Sequence, residues 1–378
     1  MNAADAIVVG AGIVGAACAE ALAAGGLRVR ILERGYPGGG TTSAGMGHIL
    51  VLDDSDAQLA LTRLSRDLWG ERSGEWPAAV EWLPCGAIWV ASNDDEMAVV
   101  RRKAAWFAEH DVRADILDQA QLRDAEPHLR ADLAGGLRLP DDSVVYPPAA
   151  TAHLLACARE HGAVIRHRVS ARAAGDGFVV TDDGTRLEAG VVVVAAGLAT
   201  PGLLDPPLTH LRVRPKKGHL AITSRAPDFL RHQLIELGYL NSAHGTLGSS
   251  VAFNVQPRAT GQVLVGSSRQ IDNEDPMVEM DIVSRMIARA SVFLPRIVDL
   301  QVIRTWVGFR PSTDHNLPVI GPVPGRPRLL IATGHEGVGI TASLGTGRLI
   351  ADHVLGRASP IDPAPFLPER LAPAGARG

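Results

Sequence analysis

The residues best suited to chemistry at the start of the chain are three glycines and one acid. Gly10, Gly12 and Gly15 spell GAGIVG directly after the apolar run AIVV, and Glu33 follows 18 residues beyond Gly15, at the end of RVRIL. In such a turn the first glycine allows the tight fold-back, the second lets backbone approach a pyrophosphate, and the third lets the next helix lie on the strand. Ile13 and Val14 open that helix, whose first N–H groups have no partner inside it and carry partial positive charge suited to phosphate. Glu33 is placed to accept hydrogen bonds from ribose hydroxyls, and its charge disfavours the 2′-phosphate of NADP. This is the pattern of a dinucleotide site.

Two further runs choose between dinucleotides. After Glu33 and Arg34, the stretch GYPGGGTTSAGMG carries six glycines in 13 residues, far above the roughly 7% of average usage. It is a loop lying where FAD continues from its pyrophosphate towards the ring, with Thr41, Thr42, Ser43, Gly45, Met46 and Gly47 as contacts. Near the other end, TGHEGVGITASLGTG sets Gly334, Gly337 and Gly339 before a helix whose N-terminus can face the pyrimidine edge of a flavin, where negative charge gathers on reduction. Val338, Ile340 and Thr341 belong to the same turn, and His335 and Glu336 are expected to act there through their backbone N–H groups. Val169 and, in VVVVAAG, Ala196 and Gly197 complete the expected cofactor contacts. The runs favour FAD over NAD, with no metal.

For the substrate, Arg310 in WVGFRPSTD stands out. A permanently charged, bidentate guanidinium can clamp a carboxylate and aim the neighbouring C–H, while a surface pair with Asp314 is the plainer alternative. Asn254 and Arg269 lie on neighbouring strands, facing either substrate or solvent. Lys216, Lys217 and His219 form a small basic cluster that could meet a second flavin's phosphate, a partner subunit, or only solvent at a strand end.

The elements that position these residues follow from length and periodicity. The chain has 378 residues, room for two or three domains of about 150 residues. Hydrophobic residues make up 46% and charged residues 21%, which excludes global disorder. The formal charge of -4 lowers the prospect of nucleic-acid binding. Three cysteines, Cys18, Cys85 and Cys157, are too few for a disulfide framework, a zinc site or an iron–sulfur cluster of the chain's own, and fit a reducing cytoplasm. The apolar N-terminus contains Asp5 and Glu20 and opens with no Lys or Arg, unlike a signal peptide.

Strands are expected at 6–9, 28–32, 163–167, 177–181 and 191–197, with helices at 13–25, 56–69, 94–110, 117–129 and 148–161. From 211 to 309 the chain alternates as LRVR, GHLAIT, SSVAFNVQP, GQVLVGSSRQ and VIRTWVGFR, the signature of an antiparallel sheet, interrupted by a helix at 278–292. The tail after 359 is Pro-rich and aperiodic, a surface-hugging or frayed end. The expected fold class is α/β, a Rossmann-like FAD-binding domain (1–80, 144–213 and 317–378) interleaved with an α+β substrate domain on an antiparallel sheet (81–143 and 214–316).

The chain resembles the flavin-dependent amino acid oxidases and dehydrogenases of the D-amino acid oxidase, glycine oxidase and sarcosine oxidase superfamily. The resemblance runs nearly end to end, through IVVGAGIVGAACAEALAAGG with LER, GTTSAGMG, VYPPAATAHLLACAREHGA, VVVVAAGLAT, VGFRPSTDHNLPVIGPVP and TGHEGVGIT. AGMGHILVLDDSDAQLALTRLSRDLW and GHEGVGIT are most similar to flavin subunits of multi-subunit dehydrogenases acting on D-hydroxyproline, opines or, in hydrogen cyanide synthase, glycine. The resemblance implies non-covalent FAD, Arg310 on the substrate carboxylate, and His48 near the flavin ring as a substrate-orienting or merely structural histidine. Where glycine oxidase-like proteins have a substrate-facing tyrosine, this chain has Asn254. Hydride would pass from a C–N carbon to flavin N5. Electrons would go on to partner subunits carrying a second flavin or an iron–sulfur cluster, or to oxygen; a non-catalytic FAD-holding subunit and an NAD-dependent dehydrogenase are the rivals.

Overall fold

The computed structural model describes residues 4–238 and 249–371. Strand Ala4–Val9 is central to the first sheet, whose path runs Val319–Val323, Arg326–Thr333, Arg186–Val194, Ala4–Val9, Val29–Glu33, Val164–His167. Every pairing from Arg326–Thr333 to Val164–His167 is parallel, and only the outer Val319–Val323 pairing on that path is antiparallel. A parallel central strand is covered on both sides and so reads as continuously apolar. Ala6 and Val8 face a core formed with helices Ile13–Ala24, Pro147–Glu160 and Ser343–Val354. Ile7 and Val9 face the opposite core with Ala174, Val179, Leu204 and Leu211. The first helix is built of small residues because another helix approaches it closely: a Cβ on Gly347 would sit 2.6 Å from the Ala17 carbonyl oxygen.

The second sheet has the order Val302–Ser312, Arg214–Arg225, Gln262–Ile271, Ser249–Pro257, Gln233–Glu236, Ala87–Ala91, Gly135–Leu139, Asp115–Asp118. All its pairings are antiparallel except Gln233–Glu236 with Ala87–Ala91. Helix Met280–Phe293 covers one face, where Phe253 stacks on Phe293 with ring centroids 4.4 Å apart. Helix Asp94–Glu109 packs through Met97, Val100 and Phe107 against Trp89, Leu137 and Ile235. The strands of the first sheet all come from 4–33, 164–194 and 319–333, and those of the second from 87–139, 214–271 and 302–312. The fold is thus a mixed α/β architecture of two interleaved sheets.

Several local expectations are corrected. The stretch 117–129 is not one helix but the end of strand Asp115–Asp118 followed by helix Gln119–Ala125. Asp118 stops the strand by capping: its carboxylate accepts from Gln121 N at 2.8 Å, and the Gln121 side chain accepts from Asp118 N at 2.9 Å. Strands Gly135–Leu139, Gln233–Glu236 and Val319–Val323 are additional to those expected. LRVR is not a separate strand; pairing begins at Arg214. The tail hugs the surface as far as Leu371, with Phe366 buried and the Arg370 guanidinium donating to the carbonyls of Leu317 and Pro318 at 2.9 and 3.1 Å. Residues 372–378 lie outside the described residues.

Candidate active site

A cleft of about 800 Å³ runs between the two sheets, towards the large end of small-molecule sites. At one end Gly10 turns the chain with φ +103°, and a Cβ there would lie 2.6 Å from the Ala195 carbonyl oxygen. The bare turn lets helix Ile13–Ala24 point its N-terminus into the cleft, with Ile13 N donating to Thr42 Oγ1 at 3.0 Å. Glu33 tightens this end from within. Its two carboxylate oxygens accept from Ala11 N at 2.8 Å and Gly35 N at 2.7 Å. The acid therefore braces the glycine turn as well as lining the cleft.

At the other end the walls come from both sheets. His48 lies on a two-residue strand paired with Ser143–Val144, and Thr341 Oγ1 donates to the His48 carbonyl at 2.8 Å. Trp69 Nε1 in turn donates to the Thr341 carbonyl at 3.2 Å. Helix Asp56–Glu71 thus fixes the turn at 334–342, and the turn fixes His48. Burial first, then the charge of Arg310, pushes the His48 imidazole down to about 3, so the ring is neutral. His48 Nε2 and Asn254 Oδ1 are buried and meet no hydrogen-bond partner among the described residues. Arg310 reaches the cleft from strand Val302–Ser312, with Nη1 donating to the Ser268 carbonyl at 3.1 Å.

Of the residues singled out from sequence, the cleft gathers most. Gly10, Gly12, Ile13, Val14, Glu33, Arg34, Thr41, Thr42, Ser43, Gly45, Met46, Gly47 and Val169 line it, as do Ala196, Gly197, His335, Gly337, Gly339 and Ile340. His48, Asn254 and Arg310 line it too. Gly15, Gly334, Glu336, Val338, Thr341 and Arg269 are not among the lining residues. Gly15 packs on the Gly10 carbonyl, and Gly334 packs on Thr313 with φ +78°. Val338 is buried, and Thr341 holds His48. Glu336 uses its N–H on the Pro311 carbonyl and pairs with Lys216 at 3.9 Å and Arg269 at 3.7 Å. The helix expected to open at this turn begins only at Ser343, so the turn itself faces the cleft.

The basic cluster is also corrected. Lys217 and His219 are fully buried, and Lys217 Nζ pairs with Glu279 Oε1 at 2.7 Å, so neither faces solvent. Arg310 does not pair with Asp314, which meets Arg214 at 3.6 Å. Sequence reasoning missed Gly218, Leu220, Ser267 and Gly308, which line the cleft from the second sheet. The available signal was a glycine inside an otherwise regular strand, which marks a close approach.

The comparisons with known proteins agree with this geometry. A family model described as DAO, FAD dependent oxidoreductase, matches residues 5–353. The chain belongs to this DAO family of FAD-dependent oxidoreductases. It is 29% identical to a glycine oxidase of Pseudomonas aeruginosa over 374 residues, 96% of this chain and 98% of that one. It is 25% identical to the hydrogen cyanide synthase subunit HcnC of the same organism over 419 residues, covering 98% and 96% of the two chains. The crystal structure of glycine oxidase from Geobacillus kaustophilus superposes with a TM-score of 0.85 at 26% identity, covering 97% of this chain and 98% of that one. Among the described residues no helix is long and apolar enough to cross a membrane.

The cofactor of a DAO family member is FAD, and the cleft suits it. The Gly10–Ile13 turn offers a pyrophosphate cradle at a helix N-terminus. A Cβ on Gly45 would lie 2.6 Å from Ile340 Cδ1, and one on Gly308 equally close to Ala44 Cβ, so these two glycines let the cleft walls pack closely. His335 is buried there, its Nε2 2.9 Å from Thr346 Oγ1, and burial pushes the imidazole down to about 4. The unfolded chain takes up that proton near pH 6.5 while the folded chain does not, so stability falls as pH drops from about 6.5 to 4. One proton is worth about 1.4 kcal/mol per pH unit. His335→Asn is expected to flatten the fall in urea midpoint between pH 7 and 5 by that slope, and an unchanged slope would contradict the buried neutral ring.

Proposed function

We propose that the chain oxidises the C–N bond of a small amino or imino acid, of the D-hydroxyproline or proline, opine or glycine kind. The observation that carries this reading is Arg310, a guanidinium set by the second sheet in the cleft that Asn254 and His48 also line. An arginine there holds the substrate carboxylate by two parallel hydrogen bonds and orients the adjacent C–H. Asn254, on strand Ser249–Pro257 of the same sheet, is the polar side chain placed to meet the substrate nitrogen. His48, neutral, adds no charge to the site and shapes the wall beside the ring. Bound FAD supplies the acceptor for the hydride that leaves the carbon bearing nitrogen. The substrate nitrogen must first give its ammonium proton to water, because only its lone pair can drive hydride loss. The imine then leaves for hydrolysis or persists as a cyclic imino acid.

The glycine oxidase and cyanide synthase names of the relatives support this substrate class. The name of the second, a subunit, supports partner chains; in this reading they take the electrons on an iron–sulfur cluster or second flavin of their own, in the cytoplasm. Flavin bleaching of the purified holoprotein under anaerobic conditions by D- and L-proline, hydroxyprolines, octopine and glycine tests the substrate. We expect bleaching within seconds by at least one; none across the panel favours a non-catalytic FAD-holding subunit. Turnover with a dye acceptor at least tenfold faster than peroxide formation is expected of the dehydrogenase, and the reverse ratio makes the chain an oxidase like its glycine oxidase relatives.

A further inference from the structure

We infer that Gly218 is a positioning residue, the bare floor against which the end of the Arg310 guanidinium rests. The inference rests on the carboxylate reading of Arg310 and extends it to a residue that touches neither substrate nor cofactor in that reading. A Cβ on Gly218 would stand 2.5, 2.6 and 2.8 Å from Nη1, Nη2 and Cζ of Arg310. Both terminal nitrogens are nearer than Cζ, so the guanidinium turns its Nη1–Nη2 edge to the space a side chain at 218 would fill. Gly218 sits in the middle of strand Arg214–Arg225 and is not among the glycines with positive φ. The backbone there suits any residue, so the missing side chain is a requirement of Arg310 and not of the strand.

The sheet register explains the arrangement. Arg310 pairs with Lys216, and Gly308 with Gly218, across the edge of the sheet. The guanidinium crosses the whole of strand Arg214–Arg225 above Gly218 to donate to the Ser268 carbonyl on the strand beyond. That strand is latched from the opposite face. Ser268 Oγ accepts from His219 N at 2.9 Å and meets His219 Nδ1 at 3.0 Å, while His219 Nε2 accepts from Glu279 N at 3.1 Å. A nitrogen that accepts from a backbone N–H carries no proton, so the neutral ring holds its proton on Nδ1 and donates it to Ser268. Glu279 is itself held by Lys217 at 2.7 Å and Gln270 at 2.9 Å. These bonds help to set the reach of the guanidinium, and a methyl group at 218 displaces it. A displacement of about 1 Å at such a site can cost on the order of a hundredfold.

The test uses the holoprotein and pyrrole-2-carboxylate, a planar imino-type carboxylate that cannot be oxidised, titrated by its perturbation of flavin absorbance. Gly218→Ala is expected to weaken its binding about 10- to 100-fold with flavin content unchanged. In the Arg310→Lys background, where no planar group lies on the floor, adding Gly218→Ala is expected to cost less than twofold. If Arg310→Lys leaves binding of the probe unchanged, or the parent does not bind it, the carboxylate reading fails and this inference with it. If Arg310→Lys weakens binding but Gly218→Ala does not, or if Gly218→Ala costs as much in both backgrounds, only the inference about Gly218 is overturned. Should Gly218→Ala not retain flavin, Ser268→Ala, which cuts the His219 latch and leaves the floor intact, must weaken binding several-fold; unchanged binding there overturns the inference.

Discussion

Replacing Arg310 by Met is expected to lower kcat/KM for the amino acid substrate by about 10²- to 10⁴-fold while the purified protein stays yellow. The magnitude follows from leaving a desolvated carboxylate without its cation, which costs about 3–5 kcal/mol, at about 1.36 kcal/mol per factor of ten. Met keeps much of the volume and the apolar stem of the side chain, so the loss is of charge and of the bidentate bond. Flavin should remain because Arg310 belongs to the second sheet, whereas the glycine turn, Glu33 and the helix N-terminus that cradle the dinucleotide belong to the first. Arg310→Lys retains the charge without the planar fork and should fall between, about 10- to 100-fold down. The measurement is the anaerobic flavin reduction rate against substrate concentration. A variant within fivefold of the parent would remove Arg310 from substrate binding.

How much of this was legible in sequence depended on how local each constraint is. Gly10, Gly12, Gly15 and Glu33 could be read because one strand, one turn and one helix impose their spacing, and the structure places the Glu33 carboxylate on the backbone of that very turn. Arg310 stood out by its place in WVGFRPSTD, at the end of the last antiparallel strand of the second sheet before the chain returns to the first, and by the suitability of a guanidinium for a carboxylate. Lys217 misled, because nothing near it in the chain announces Glu279, which lies 62 residues away and meets it only once the sheet has formed. Thr341 and Glu336 were read as cofactor contacts because they sit among glycines that line the cleft. Thr341 Oγ1 instead donates to the His48 carbonyl, and the Glu336 N–H, the group expected to face the cofactor, donates to the Pro311 carbonyl. Gln233 and Gln256 are fully buried for reasons equally invisible in the sequence, Gln256 with its Nε2 donating to the Met46 carbonyl at 2.8 Å across 210 residues. Strand periodicity marks a buried position but does not tell what faces it across the sheet.

The same physics makes the third glycine of the opening turn a sensitive position in the cofactor site. Gly15→Ala is expected to yield a protein with less than about a tenth of the parent's flavin and a melting temperature lower by about 5–15 °C. A Cβ on Gly15 would fall inside the van der Waals shell of the Gly10 carbonyl oxygen, 3.0 Å from Gly10 C and 3.4 Å from Ala195 Cβ. Two of those three neighbours are backbone, so no rotamer relieves the clash and helix Ile13–Ala24 must move off the strand. Overpacking of this kind costs about 1–3 kcal/mol, occasionally more. The helix also carries the N-terminus aimed at the pyrophosphate, so its displacement removes the cradle together with the packing. Gly70→Ala is the control for the substitution itself. Gly70 lies exposed near the end of helix Asp56–Glu71, nothing stands within 4 Å of its would-be Cβ, and alanine there should stabilise the helix by about 0.5–1 kcal/mol. Absorbance of the purified variants and their thermal melts decide the matter: a yellow, stable Gly15→Ala protein would show that this helix tolerates displacement and that the close approach is not what seats the dinucleotide.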